Sequence, residues 1–212
     1  MTLDSGDELG GDELLVAVGR RAATTELGVD SIGLQPGSRI EVDDSLRSTQ
    51  HDWLFAIGDV NGRAFLTHMG KYQARIAADV ILGRPAAIDE RADGLLSPRV
   101  VFTEPQVAAV GHTLASALEA GIDARAFDYG TSDVAGASFY GRNAPGTSRI
   151  VVDEARRVLV GATFTGVDVA EFVHAATIAV VAEVPLERLW HAVPCFPTRS
   201  EVWLRLLEEY RL

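Results

Sequence analysis

The run "PCFPTRSE", Pro194 to Glu201, places a thiol, a hydroxyl and a carboxylate within eight residues and restricts the backbone with two prolines. A carboxylate beside an imidazole would orient it for acid/base work. No imidazole lies between the prolines, however: the residues there are Cys195 and Phe196, and Phe196 can neither give nor take a proton. Glu201 is the catalytic candidate that remains. Thr198 and Glu201 also have the spacing of a capping box, with Thr198 capping the last helix and Glu201 folding back to the Thr198 amide. With no imidazole to orient, this structural role is the expectation for Glu201. Cys195 is expected to be a small buried residue rather than a nucleophile.

A second stretch with chemical use is Gly58-Asp59, which ends the apolar run Trp53 to Ile57, followed after a short loop by Leu66-Thr67-His68. The spacing predicts a strand, a loop and a helix, with an acidic residue and a helix N-terminus at the strand's carboxyl end. Nucleotides bind at such places in α/β folds. Spacing leaves two roles open for Asp59, a nucleotide-site carboxylate or the cap of a turn. No G-x-G-x-x-G occurs in the chain, so a dinucleotide site built here would lack its pyrophosphate loop. His174 lies on the apolar face of a predicted helix and is expected in the core rather than as a ligand. No H-x-x-x-H or H-x-x-E-H spacing is present, and no metal is predicted.

The elements that must hold these residues follow from hydrophobic periodicity. Leu14 to Val18 has the continuous apolar character of a strand flanked on both edges in a parallel sheet. Ile40 to Val42 and Trp53 to Ile57 read as further strands, and Tyr72, Ile76, Ala77, Val80 and Ile81 have helical spacing ended by Gly83. Residues 83–97 are polar, punctuated by Pro and Gly, and mark a boundary. Beyond them come short strands at Val100 to Phe102 and Val107 to Val110, a helix at Thr113 to Ala120 and a strand at Ala124 to Phe127. A loop follows over 133–146, then a hairpin of Ser148 to Val152 with Val158 to Thr165. Helices are predicted from Val167 to Val184, with Ala170, Val173, His174, Thr177, Ile178 and Val181 on one face, from Leu186 to His191, and from Arg199 to the end. Strands clustered before helices predict an α+β domain, an antiparallel sheet covered by helices, after an incomplete α/β nucleotide-binding segment.

Composition narrows the partners. The 212 residues are 47% apolar and 23% charged, enough for sizeable cores. Nineteen basic against thirty acidic side chains give a formal net charge of −11, which disfavours nucleic acid and anionic lipid as partners. A single cysteine forbids an internal disulfide, and no apolar run approaches the roughly 18 residues of a membrane span. A cytoplasmic protein without membrane or nucleic-acid partners is the expectation.

The segments "LLVAVGRR", "WLFAIGDVNGRAFLTHMGKYQARIAADVILG", "SPRVVFTEPQVAAVGHT" and "VLVGATFTGVDVAEFVHAATIAV" together resemble the carboxyl half of the FAD-dependent pyridine nucleotide-disulfide oxidoreductases, the family of dihydrolipoamide dehydrogenase, mercuric reductase and soluble transhydrogenase. The resemblance implies FAD and NAD(P)H as cofactors. It implies that Gly58 and Asp59 meet the ribityl chain, that Leu66, Thr67 and His68 pass along the flavin ring, and that His68 is a packed helix-entry residue rather than a side-chain catalyst. It further implies residues 1–84 as an incomplete NAD/FAD-binding remnant, 85–96 as a linker and 97–212 as a dimerisation domain. The chain is then expected to be a carboxyl-terminal fragment of a homodimer that passes hydride from NAD(P)H through FAD to a small-molecule electron acceptor. In the family the final segment is typically H-P-T-x-S-E, with His as acid/base, so Phe196 departs from the pattern. A non-catalytic dimerisation module is the competing expectation.

Overall fold

In a computed structural model, residues 1–140 and 146–211 are described. The chain divides into two compact units, Met1–Arg39 and Ile40–Leu212.

In the first unit, Leu14 to Val18 is extended without a ladder partner among the described residues, and Leu14, Leu15, Val16 and Val18 are exposed. The predicted buried strand is therefore corrected, because an apolar run becomes one only when other strands lie beside it. Shorter contacts organise this unit. The buried Thr24 hydroxyl donates to the Ser38 carbonyl at 2.8 Å and accepts from the Gly37 amide at 2.9 Å, closing a loop over the 3₁₀ turn Val29–Ile32.

In the second unit, the strands predicted at Ile40 to Val42 and Trp53 to Ile57 are reduced to the isolated bridges Val42 to Ser48 and Arg47 to Phe55. Trp53 and Ile57 are exposed, since no sheet extends over them. Helix α1, Thr67–Ile81, forms where predicted and buries Met69, Gln73 and Ala77 along one stripe.

Among the described residues one five-stranded antiparallel sheet dominates this unit. Its strands are β1 (Arg99–Val101), β2 (Gln106–Gly111), β3 (Ala124–Gly130), β4 (Thr147–Asp153) and β5 (Val158–Gly166), in the order β1-β2-β5-β4-β3. The β-branched runs of β4 and β5 suit interior positions, β5 at the centre of the sheet and β4 beside it. Ile150, Val152, Leu159, Ala162 and Phe164 join one core with helices α3 (Val173–Val181) and α5 (Glu201–Tyr210), while Val151 faces the opposite way, into a smaller cluster with Ala117 and Ala124. Helix α2, Leu114–Glu119, covers that second face and carries a true capping box between Thr113 and Ser116. Where β2 meets β5, Gly111 pairs with Gly161, and a Cβ on Gly161 would lie 1.9 Å from the His112 carbonyl oxygen. Only glycine permits that approach.

Between β5 and α5 the predictions need three corrections. The helix expected over Val167 to Val184 is a 3₁₀ turn, Val169–Phe172, followed by α3, and its buried residues are Val169, Val173, Ala176, Ala179 and Val180. His174 and Ile178 are exposed, not on the core face. This stretch is apolar on all sides, so its periodicity has no readable phase. Helix α4, Leu186–Leu189, is shorter than expected. The loop predicted over 133–146 contains a 3₁₀ turn, Ala135–Tyr140, while its residues 141–145 lie outside the described residues.

Candidate functional site

Ala56 ends the run Trp53 to Ala56 in the core, and the chain then turns through Gly58, whose φ of +74° lies in the left-handed region that glycine adopts without strain. The 3₁₀ turn Gly58–Asn61 is held from below by α1. The fully buried Gln73 accepts from the Gly58 amide at 2.7 Å and from the Asn61 side-chain amide at 2.9 Å. Asn61 also donates to the Ala56 carbonyl at 3.0 Å and accepts from the Arg63 amide at 3.0 Å. A Cβ on Gly70 would sit 3.3 Å from the Gly58 Cα, so a small residue on the helix lets the turn rest on it. The structure thus brings Gly58 and Asp59 beside the start of α1, where Leu66 is the N-cap and Thr67 and His68 begin the helix.

Asp59, Thr67 and His68 are exposed at this surface. No side chain caps α1, so its positive end faces outward. A ligand with hydroxyl donors for a carboxylate and a partly negative acceptor edge for a helix N-terminus suits this arrangement. His68 is not packed at the helix entry. Its ring Nε2 hydrogen-bonds with the Pro98 carbonyl at 2.8 Å, which turns the imidazole towards the start of β1.

Sequence reasoning missed the supports. Arg63 bridges the loop to two further segments, with Nε to Asp93 at 2.7 Å and Nη2 to Asp44 at 2.8 Å. Burial alone would lower the Arg63 pKa, but the bonds and charges of Asp93 and Asp44 outweigh it and raise it. Gln73 left a readable signal, a polar residue in a stripe otherwise occupied by Met69 and Ala77. Nothing in the local pattern marked Arg63 or Asp93 as a pair thirty residues apart.

The final segment is built differently. Glu201 is the first residue of α5 and is buried, yet it does not close a capping box with Thr198. The Thr198 hydroxyl donates to the Cys195 carbonyl instead, and Glu201 pairs through Oε1 with Arg205 one turn on, at 2.7 Å. Its Oε2 is buried without a hydrogen-bond partner among the described residues. Cys195 is exposed rather than buried, and Phe196, joined to Pro197 by a cis peptide, is 76% exposed. Cys195 and Phe196 stand at the surface, in a hollow they share with Trp190, Trp203 and Leu204. Glu201 therefore belongs to a separate cluster from Gly58, Asp59, Leu66, Thr67 and His68. Among the described residues, no group of three His, Cys, Asp or Glu side chains is placed to hold a metal, and no helix is long and apolar enough to cross a membrane.

Residues 97–206 match the model of the pyridine nucleotide-disulphide oxidoreductase dimerisation domain and residues 1–78 match that of the pyridine nucleotide-disulphide oxidoreductases, so the chain belongs to this family. It is 33% identical over 212 residues to dihydrolipoyl dehydrogenase 3 of Haloarcula marismortui, covering 98% of this chain and 43% of that protein. The Geobacillus stearothermophilus dihydrolipoyl dehydrogenase is 32% identical, over 93% of this chain and 41% of its own length. The chain thus spans less than half the length of these curated relatives. Among solved structures, the HOCl-induced flavoprotein disulfide reductase RclA of Escherichia coli superimposes with a TM-score of 0.80 at 28% identity, over 93% of this chain and 45% of that one. LpdA of Mycobacterium tuberculosis shares the fold, with a TM-score of 0.87 at 23% identity over 100% of this chain and 45% of that one. The chain resembles the carboxyl-terminal part of flavin-dependent disulfide oxidoreductases.

Proposed function

We propose that this chain supplies the flavin-edge contacts and the homodimer interface of an FAD-dependent NAD(P)H oxidoreductase acting in the cytoplasm on a small-molecule electron acceptor. Residues 1–84 then belong to the nucleotide-binding part, 85–96 link, and 97–212 dimerise. The observation that carries the reading is the turn Gly58–Asn61, clasped by Gln73 so that Asp59 stands beside the uncapped start of α1.

FAD, when bound, supplies hydride transfer between NAD(P)H and the acceptor. The chain's own residues have simpler work. Asp59 accepts hydrogen bonds from ribityl hydroxyls, Gly58 lets the backbone approach, and Leu66, Thr67 and His68 present backbone to the ring edge at a helix end that favours negative charge. Glu201, locked to Arg205 and without an imidazole to orient, contributes position rather than proton transfer. For the dimer, exposed Ile178 lines an apolar groove of about 320 Å³ with Leu189, Trp203 and Leu207, and exposed Val193 and Phe196 line a second hollow that shares those last three residues, an apolar surface which a two-fold copy would cover.

The match of residues 97–206 to a dimerisation domain is also compatible with a second reading, a dimerisation module without catalysis. One experiment separates the two. In the intact protein, flavin absorption bleached by NAD(P)H is expected, and Asp59→Ala should weaken FAD retention about 10- to 100-fold through loss of a charged acceptor. A colourless dimer would leave only the second reading.

A further inference from the structure

We infer that Arg199 is a positioning residue, whose guanidinium, clasped between two aromatic rings, sets where Cys195 and Phe196 stand. The guanidinium carbon lies 4.5 Å from the ring centre of Tyr140 and 4.7 Å from that of Phe172. The two rings come from separate elements, the 3₁₀ turns Ala135–Tyr140 and Val169–Phe172, so the clasp ties the final segment to both. Arg199 Nε is buried and has no hydrogen-bond partner among the described residues, as expected when π faces rather than oxygens surround it.

Three further observations support this role. Arg199 immediately precedes Ser200, the N-cap of α5, where a positive charge opposes the helix dipole, so electrostatics with its own helix does not account for it. The backbone beside it is fitted to one place, since a Cβ on Gly136 would lie 2.3 Å from the Thr198 carbonyl carbon and 2.6 Å from the Arg199 nitrogen. Between the segment and the neighbouring turns lies a cavity of about 540 Å³, lined by Phe102, Phe139, Tyr140, Phe172, Pro197 and Arg199. The segment is thus seated at its backbone against Gly136, and the Arg199 clasp is the side-chain tether across this space. Arg suits the task and Lys does not, because only a flat guanidinium offers two faces to two rings.

The consequence for acceptor access, through the placement of Phe196, rests on the flavin-site reading above; the clasp itself does not. Cys195 is the chain's single cysteine and is exposed, so a nitroxide attached there reports on the segment alone. In the full chain, Arg199→Ala should shift the label from restricted motion to the nanosecond mobility of a free loop. Arg199→Lys should give the same shift, while far-UV circular dichroism stays unchanged. Tyr140→Leu removes one ring from an exposed site outside the core and should produce part of the same change, which keeps the test decisive if the arginine variants fold poorly. Unchanged mobility in Arg199→Ala and Tyr140→Leu, or wild-type restriction in Arg199→Lys, would overturn the inference. Either result leaves the flavin reading untouched, and a colourless intact protein leaves the clasp untouched.

Discussion

The two stretches that carry chemical side chains are held in opposite ways. The turn Gly58–Asn61 rests on a buried polar clasp, Gln73 bonded to Gly58 and Asn61, with Arg63 stapling it to Asp44 and Asp93. The segment Pro194 to Ser200 has an exposed thiol and an exposed ring, and it is held by the Arg199 clasp, the turn closed by Thr198 and the close backbone approach to Gly136. A buried polar network fixes geometry because any departure leaves donors unpaired in a low-dielectric interior. An aromatic clasp at the surface fixes position but tolerates sliding, which suits a segment that we propose meets a second copy.

The comparison can be broken first at Phe196. If the intact enzyme reduces disulfides by the family's acid/base route, Phe196→His should raise dithiol turnover by about 10²- to 10⁴-fold, the range of a positioned general base. High native dithiol activity, measured by steady-state kinetics, would show that the segment does its chemistry without an imidazole and that Glu201 has been misread. The clasp under the other stretch gives the next effect. Gln73→Leu removes the acceptor of two buried donors and should cost about 1–3 kcal/mol in urea unfolding, offset slightly because the Gln73 side-chain nitrogen is itself buried without a partner among the described residues. Thr198→Val, in the exposed segment, removes one hydroxyl bond and should stay within about 1 kcal/mol. Equal costs would erase the distinction.

How far the sequence disclosed this arrangement depended on what kind of signal each part carries. The sheet was legible because β4 and β5 are β-branched runs separated by a turn, and α1 because its apolar residues keep one phase. The phase of α3 was not legible in a stretch of Val, Ala and Ile on every side, so His174 was misplaced. Leu14 to Val18 shows a different limit: Leu15 is 89% exposed although its neighbours spell a buried strand, because burial is a property of partners that periodicity does not contain. At the site, Gly58 and Asp59 stood out by type and position, and Gln73 as a polar residue in an apolar stripe. The salt bridge of Arg63 with Asp93 and the rings around Arg199 join residues far apart in the chain, where no spacing rule reaches. The missing capping box at Thr198 turned on a local contest, since its hydroxyl found the Cys195 carbonyl before the helix amides.

The smallest expected effect sharpens the same contrast through acid. Asp43 closes the turn that contains Asp44, the partner of Arg63, by accepting from the Ser45 amide and hydroxyl and from the Arg47 amide, at 2.9, 2.6 and 3.1 Å. Burial pushes its pKa up, but the Ser45 and Arg47 bonds and the Arg47 charge together outweigh this and hold it below the usual value. A carboxylate with a depressed folded-state pKa binds fewer protons folded than unfolded. Its stabilising contribution is therefore complete above the unfolded value of about 4 and is lost as pH falls through the folded value. Asp43 is exposed, so the contribution should not exceed about 1 kcal/mol. Asp128, held low chiefly by its bonds to Arg149, adds an acid-sensitive background of the same sign, so the useful quantity is a difference. The gap in urea midpoint between wild type and Asp43→Asn should be open at pH 7 and close towards pH 3. Over the same range, the protection of the Ser45 and Arg47 amides, measured against their intrinsic exchange rates at each pH, should fall in the wild type, while that of Glu201 and Val202 keeps its own course. A gap that stays open in acid would mean that neutral Asp43 holds the turn as well as its anion does, and that charge plays no part in seating the Arg63 staple.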